Sequence, residues 1–234
     1  MQMEYQSGFS FLKPLDKNIG IYYNMPMKIS KKNIIDKKYK KIIKIFTAHN
    51  GYARSKDILA GGIHPRDIKI ILDNGLIIKV KNGLYRLSDT PVISNQSFID
   101  LTCAVPEGVI CLLSALSYYE LTTFNPSIIS MAIHRKSWRP KIEYPPVEFY
   151  YFSKKQFESG IDKIKIGDHK ISIYCREKTI CDCFRYRNKL GIDIAKEGLS
   201  EYLKLKDRNL ERLLEYAKIC RVKALMEIWI NAMI

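Results

Sequence analysis

Apolar residues recur at helical spacing from Tyr39 through Ile42, Ile43 and Phe46, inside a lysine-rich stretch that stops at Asn50-Gly51. The pattern predicts a short second helix after Ser55, ending at Gly61-Gly62. A third begins at His64-Pro65, where proline takes a position whose N–H would lack a helical partner, and ends at Asn74-Gly75. Its inward stripe is Ile68, Ile71 and Leu72; rotation of about 100° per residue turns Arg66, Lys69, Ile70 and Asp73 outward. An apolar strand from Leu76 to Val80 follows, then an Asn82-Gly83 turn of the kind that closes tight hairpins, and a return strand from Leu84 to Leu87. Helix, helix, helix, hairpin is the order of a winged helix-turn-helix.

Beyond Asp89-Thr90-Pro91, which reads as a linker, the pattern changes. Ser97 opens a helix through Phe98, Ile99, Leu101 and Thr102, ended by Pro106-Glu107-Gly108, and a second runs from about Val109 through Leu112, Leu113, Leu116 and Tyr119. Strands are expected at Ile128 to Ile133, at Val147 to Phe152, and at Ile164 to Ile166 paired across Gly167-Asp168 with Ile171 to Ile173. Helical periodicity returns near 176–188, 193–204, 208–219 and 222–232, with Asp207 the expected N-cap of the third. The fold class is therefore α+β: a winged helix-turn-helix over residues 28–90, followed over 91–234 by a mixed α+β domain with a small sheet and C-terminal helices. Residues 1–27 are nearly neutral, lack periodicity and are broken by Gly8, Pro14, Gly20 and Pro26, so they read as a disordered or non-native leader.

Charge changes the picture. The chain carries a formal net charge of +15, and residues 28–90 hold 15 Lys/Arg against 5 Asp/Glu, while residues 91–234 hold 22 against 17. Two thirds of the excess thus sits in about a quarter of the chain, around the helix-turn-helix pattern. Phosphate binding needs that concentration, because affinity scales with the contacts that release counterions. A lysine-rich solvated surface is the plainer alternative.

In the third helix Arg66 lies near the N-terminal end, where a recognition helix meets base edges, and its guanidinium suits guanine O6 and N7. Lys69 would reach a base or a phosphate; His64 is either a contact or a helix cap. Arg54, Ser55 and Lys56 open the second helix, where N–H groups and a hydroxyl favour an anion. Lys79, Lys81, Asn82 and Arg86 surround the hairpin and suit the sugar-phosphate backbone or minor groove. Their alternative role is edge-strand protection, in which charge discourages sheet-to-sheet pairing.

Other chemistry is poorly signalled. The six cysteines (103, 111, 175, 181, 183 and 220) form no C-x-x-C pair, and the histidines (49, 64, 134 and 169) have no ligand spacing. Core thiols in a reducing compartment follow, with no metal or cofactor expected. There is no phosphate-cradling glycine loop, G-x-S-x-G elbow or H-E-x-x-H, so no catalytic residue is assigned. Asp168-His169-Lys170 is a faint echo of a metal-dependent nuclease centre, better explained as turn chemistry. No run of about 18 uninterrupted apolar residues is present, which points to a cytoplasmic protein with no membrane attachment.

The segment "GYARSKDILAGGIHPRDIKIILDNGLIIKVKNGLYRLSD" is similar to the winged-helix domain of the AbiEi-type antitoxins of type IV, abortive-infection toxin–antitoxin systems. The second half adds "VICLLSALSYYELTTFNP", similar to that family's helix around a Ser-Ala-Leu, here Ser114-Ala115-Leu116. It also adds "REKTICDCFRYRNKLGIDIAKEGLSEYL", similar to its Glu-x-Thr-x-x-Asp helix, here Glu177, Thr179 and Asp182. Together these segments cover most of residues 40–220; the leader and the tail beyond 220 do not align. The resemblance implies an antitoxin and DNA-binding repressor of its own operon; a winged helix in that role would read an inverted repeat in promoter double-stranded DNA, as two protomers on successive half-sites. It also implies a C-terminal domain that counteracts a nucleotidyltransferase-like toxin. The competing readings are a protein-binding module that sequesters the toxin directly and a nuclease targeted by its winged helix.

Overall fold

Turn residues set the frame of the N-terminal part. In the computed structural model, which describes residues 39–88 and 95–234, a helix (α1) runs from residue 39 to residue 47. The expected leader, residues 28–38 and the linker at 89–91 lie outside the described residues. After the Asn50-Gly51 turn, both residues at positive φ, come strand β1 (Tyr52–Arg54), helix α2 (Ser55–Ala60) and helix α3 (Pro65–Asp73). Strands β2 (Ile77–Lys81) and β3 (Leu84–Leu87) follow, joined at Gly83, which takes the positive φ that a two-residue turn requires. The three strands form one antiparallel sheet in the order β1-β3-β2. Strand β1 is too short to announce itself by alternation, and its pairing with β3 gives the hairpin the third strand it needs for stability.

Tyr39, Ile42, Phe46, Ile58, Ile68, Ile71 and Ile77 close the core of this part. The stripe expected of α3 is the one observed: Ile68 and Ile71 are buried and Leu72 is half-buried, while Arg66, Lys69, Ile70 and Asp73 are exposed.

The second part is built on a five-stranded sheet in the order β6-β5-β4-β8-β7. Its strands are β4 (Val109–Ile110), β5 (Ile129–His134), β6 (Val147–Phe152), β7 (Ile161–Ile166) and β8 (His169–Tyr174). Pairs β4–β8 and β5–β6 are parallel, and β4–β5 and β7–β8 antiparallel. Val109 and Ile110 were expected to begin a helix. They instead form the central strand, because both faces of that position are covered by apolar neighbours.

Alternation along the strands divides the core. Ile110, Met131, Ile133, Phe149, Ile171 and Ile173 face helix α4 (Gln96–Ala104) and also Tyr52, Val80 and Leu84 of the N-terminal sheet. Val109, Ala132, Tyr150, Phe152 and Tyr174 face the helical layer: α5 (Leu112–Tyr118), α6 (Lys154–Glu158), α7 (Arg176–Arg185), α8 (Arg187–Leu190), α9 (Ile192–Lys204), α10 (Leu210–Cys220) and α11 (Lys223–Met233). The N-cap of α10 is Asn209, whose side chain accepts from Arg212 N, rather than Asp207, which pairs with Arg176 at 2.7 Å. Among the described residues no helix is long and apolar enough to cross a membrane.

Candidate functional site

Helix α3 presents an uncovered face. His64 precedes it in extended conformation, and its Nδ1 accepts from Arg66 N at 3.3 Å, so this imidazole caps the helix. Arg66 and Lys69 project from the exposed side together with Ile70, which is 45% exposed. Arg54 and Lys56, at the start of α2, are exposed, and Ser55 is half-buried. Asp57 accepts from Arg54 N at 3.1 Å, holding the entry to α2. On α1, Lys40, Lys41 and Lys44 are exposed, and the Lys41 ammonium lies over Gly62 in the turn that leads into α3. Lys40, Lys41 and Lys44 of α1, Lys56 of α2, and Arg66 and Lys69 of α3 are thus exposed cations, with Lys41 at the turn before α3, whereas Arg54 stands near Lys81 and Cys103 on the hairpin side.

The hairpin departs from the expectation. Of its four candidate residues only Asn82, at the tip, is exposed. Arg86 is 8% exposed, with Nε 2.9 Å from Oδ1 of the fully buried Asp100 in α4. The same carboxylate oxygen accepts from Tyr52 Oη at 2.5 Å, and Gln96 Nε2 donates to that hydroxyl at 2.8 Å. Burial, then the Asp100 hydrogen bond, raises the Tyr52 phenol above its ordinary range. Lys81 Nζ donates to Ala104 O, the last carbonyl of α4, at 2.5 Å. Burial, with Arg54 as a second cause, holds its ammonium below the ordinary lysine value. Lys79 pairs with Glu143 at 2.8 Å, and the Glu143 and Tyr144 N–H groups both point at Val80 O. The cations of the hairpin are thus turned toward the second part of the molecule, and residues 143–144 cover the outer edge of β2.

His169, in the triplet with a nuclease-like echo, belongs to the same seam. Its Nε2 is 2.9 Å from Asn50 O and its ring meets Tyr52 edge-on at 5.1 Å. Periodicity could not reveal Tyr52, Asp100 and His169 as partners. Asp100 is the one signal, a carboxylate inside an otherwise apolar helical stripe.

The residues that carry the family likeness are spent inside the fold. Ser114 Oγ accepts from Ser130 N at 2.9 Å, tying α5 to β5. Residues 177–184 of α7 are all buried, and each polar member has a partner. Tyr202 Oη donates to Glu177 at 2.9 Å, Thr179 Oγ1 donates to Tyr174 O at 3.2 Å, and Asp182 meets Lys178 at 2.5 Å and Cys220 Sγ at 3.2 Å. The Lys178 ammonium also lies over the rings of Tyr174 and Phe152 at 4.2 and 4.8 Å. Among the described residues no group of three or more His, Cys, Asp or Glu is placed to hold a metal ion.

No protein-family model matches the chain, and no curated protein matches it.

Proposed function

We propose that residues 39–88 are a winged helix-turn-helix that binds double-stranded DNA, with α3 as its recognition helix. The observation that carries this reading is the exposed Arg66–Lys69 face of α3, with Lys41 of α1 at the turn that leads into it. A helix that the rest of the molecule leaves uncovered and cationic has the shape and sign that a major groove accepts. The packing of Ile77 of β2 in one core with Ile68 and Ile71 supports the same reading, since it sets the hairpin beside α3. The hairpin's part in it is narrower than a basic wing: Asn82 at the tip is available to the sugar-phosphate backbone, while Arg86 holds the two parts of the molecule together.

The wider role we propose is that of an antitoxin and autorepressor of the AbiEi type, reading an inverted repeat at its own promoter as two protomers. The C-terminal part would counteract a nucleotidyltransferase-like toxin in a cytoplasmic setting. Support for that role is the likeness in residues 51–89, 109–126 and 176–203. Fluorescence anisotropy with a duplex from the chain's own promoter, against a scrambled duplex of equal length, tests the DNA reading. Equal affinity for both duplexes, unchanged by Arg66→Ala, would overturn it. Growth rescue against the product of the adjacent gene tests the antitoxin role. Co-purification of the two products would favour sequestration over regulation alone.

A further inference from the structure

Trp138 is 95% exposed, on the connection between β5 and β6. Within seven residues, Arg135, Lys136, Trp138, Arg139 and Lys141 are all exposed, and the stretch from 135 to 141 contains no acidic residue. This loop is a built arm. His134 Nδ1 accepts from Lys136 N at 3.2 Å and Arg135 N donates to Phe152 O at 2.8 Å, which fixes its root. Pro140 stiffens the middle. On the return limb Ile142 packs into the core shared with the N-terminal sheet, and Glu143 and Tyr144 are fastened to β2. A bare indole flanked in sequence by four exposed cations therefore sits on a loop whose root is fastened to β6 and whose return limb is fastened to the hairpin of the proposed DNA-binding unit.

We infer that the 135–141 loop is a second DNA-contacting element, in which Arg135, Lys136, Arg139 and Lys141 meet phosphates and Trp138 packs into the minor groove or against a base step. Water-exposed indole is unfavourable, and an aromatic ring between cations matches the two surfaces that duplex DNA offers, apolar base faces inside and phosphates outside. An anionic membrane has the same sign, but one apolar side chain at the tip is too little apolar area for stable interfacial binding. Helix α3 would supply sequence discrimination and this loop affinity and register. The inference rests on the proposed binding of duplex DNA, and not on α3 being the helix that reads it.

The test uses the full chain, the promoter duplex, a random duplex and phosphatidylserine vesicles. The emission difference between the parent and Trp138→Phe isolates Trp138 from Trp229, the other tryptophan of the chain. The expected result is quenching of the Trp138 signal by either duplex and roughly ten-fold weaker binding of both by Trp138→Ala. The variant with Arg135, Lys136, Arg139 and Lys141 all changed to alanine should lower the slope of log affinity against log salt by about 0.9 for each phosphate it no longer neutralises. Both variants alter only exposed side chains and should keep the parent's thermal midpoint. If Arg66→Ala weakens promoter binding while both loop variants bind like the parent, the loop proposal falls and the α3 reading stands. If the loop variants weaken binding and Arg66→Ala does not, the loop stands and the α3 reading falls. No binding to any duplex overturns both, and a Trp138 response to vesicles alone overturns the loop proposal in favour of a membrane surface.

Discussion

Arg86 Nε lies 2.9 Å from Asp100 Oδ1, joining the return strand of the N-terminal hairpin to the first helix of the second part. Both side chains are almost fully withdrawn from water, so each depends on the other to offset the cost of burying a charge. Asp100→Asn keeps the shape and removes the charge, leaving the buried guanidinium without its carboxylate. A loss of roughly 3–5 kcal/mol in urea unfolding is expected, the usual size for breaking a buried pair from one side. Arg86→Met combined with Asp100→Asn should recover much of it. A stability loss no larger than that of Glu143→Gln, whose partner Lys79 is half-exposed, would mean that the seam is wetter than its geometry implies.

Partner availability ranks the DNA contacts. Arg66→Ala is expected to cost about 1–3 kcal/mol of discrimination at one base pair, as a bidentate base contact does. Lys79→Ala removes an exposed ion pair worth about 0–1 kcal/mol and should leave promoter affinity within two-fold (roughly 0.4 kcal/mol) of the parent. Anisotropy titrations of both variants on promoter and scrambled duplexes decide between them. If Lys79→Ala proves the more damaging, the hairpin detaches from α4 on DNA and presents its cations after all.

The contrast between these two lysine and arginine positions marks how far the sequence can be read. Asn50-Gly51, Gly61-Gly62, Asn74-Gly75 and Asn82-Gly83 stand at chain reversals, because each reversal needs conformations that few other residues adopt without strain, and α3's outward face follows from its period. Long-range partnership has no such local mark. Nothing near Arg86 announces Asp100, and a strand of two residues, Val109–Ile110, is indistinguishable by pattern from the apolar helix that follows it. Helix α7 was legible as a helix but not as a buried one, since its Glu, Lys, Thr and Asp resemble a solvated face until their partners on β8, α9 and α10 are in place.

Within α7, Lys178→Met should be far more disruptive than its polarity suggests. The ammonium is fully buried, 2.5 Å from Asp182 and stacked on two aromatic rings. Removing it leaves a carboxylate whose remaining close partner is the Cys220 thiol. A loss of about 3–5 kcal/mol is expected in chemical denaturation, and the companion change Asp182→Leu should restore part of it. Lys189→Met, at an exposed pair with Glu148, serves as the control and should cost about 1 kcal/mol or less.

The thiols should be silent in the folded protein. All six cysteines are free, and five are buried. Burial pushes the Cys111, Cys181 and Cys183 thiols well above their ordinary value, and Cys103 and Cys175 up to about 11. Because the thiolate is the nucleophile, reaction with a chromogenic disulfide near neutral pH should be slow in buffer and complete for all six in denaturant. Cys103, the half-buried one beside His169, should react first. Rapid modification of two or more thiols in buffer would contradict the packing of α7 and α10.

Acid should loosen the loop that precedes β5. Glu197 of α9 accepts from Thr123 N at 2.7 Å, from Thr122 Oγ1 at 2.8 Å and from Thr123 Oγ1 at 2.9 Å. The Thr123 backbone donor first, and then the Thr122 hydroxyl, hold its carboxyl below the ordinary value of 4.5. A group with a depressed folded-state pKa binds more protons when unfolded, so its contribution is present above the ordinary value and drains away as pH falls through the lower one. Glu148, lowered by the Lys189 and Tyr150 hydrogen bonds, acts in the same direction. The thermal midpoint should therefore drop between about pH 5 and pH 3, and Glu197→Gln, which cannot titrate, should show a shallower drop from a lower starting point. Parallel midpoint-against-pH curves for parent and variant would remove Glu197 from the account.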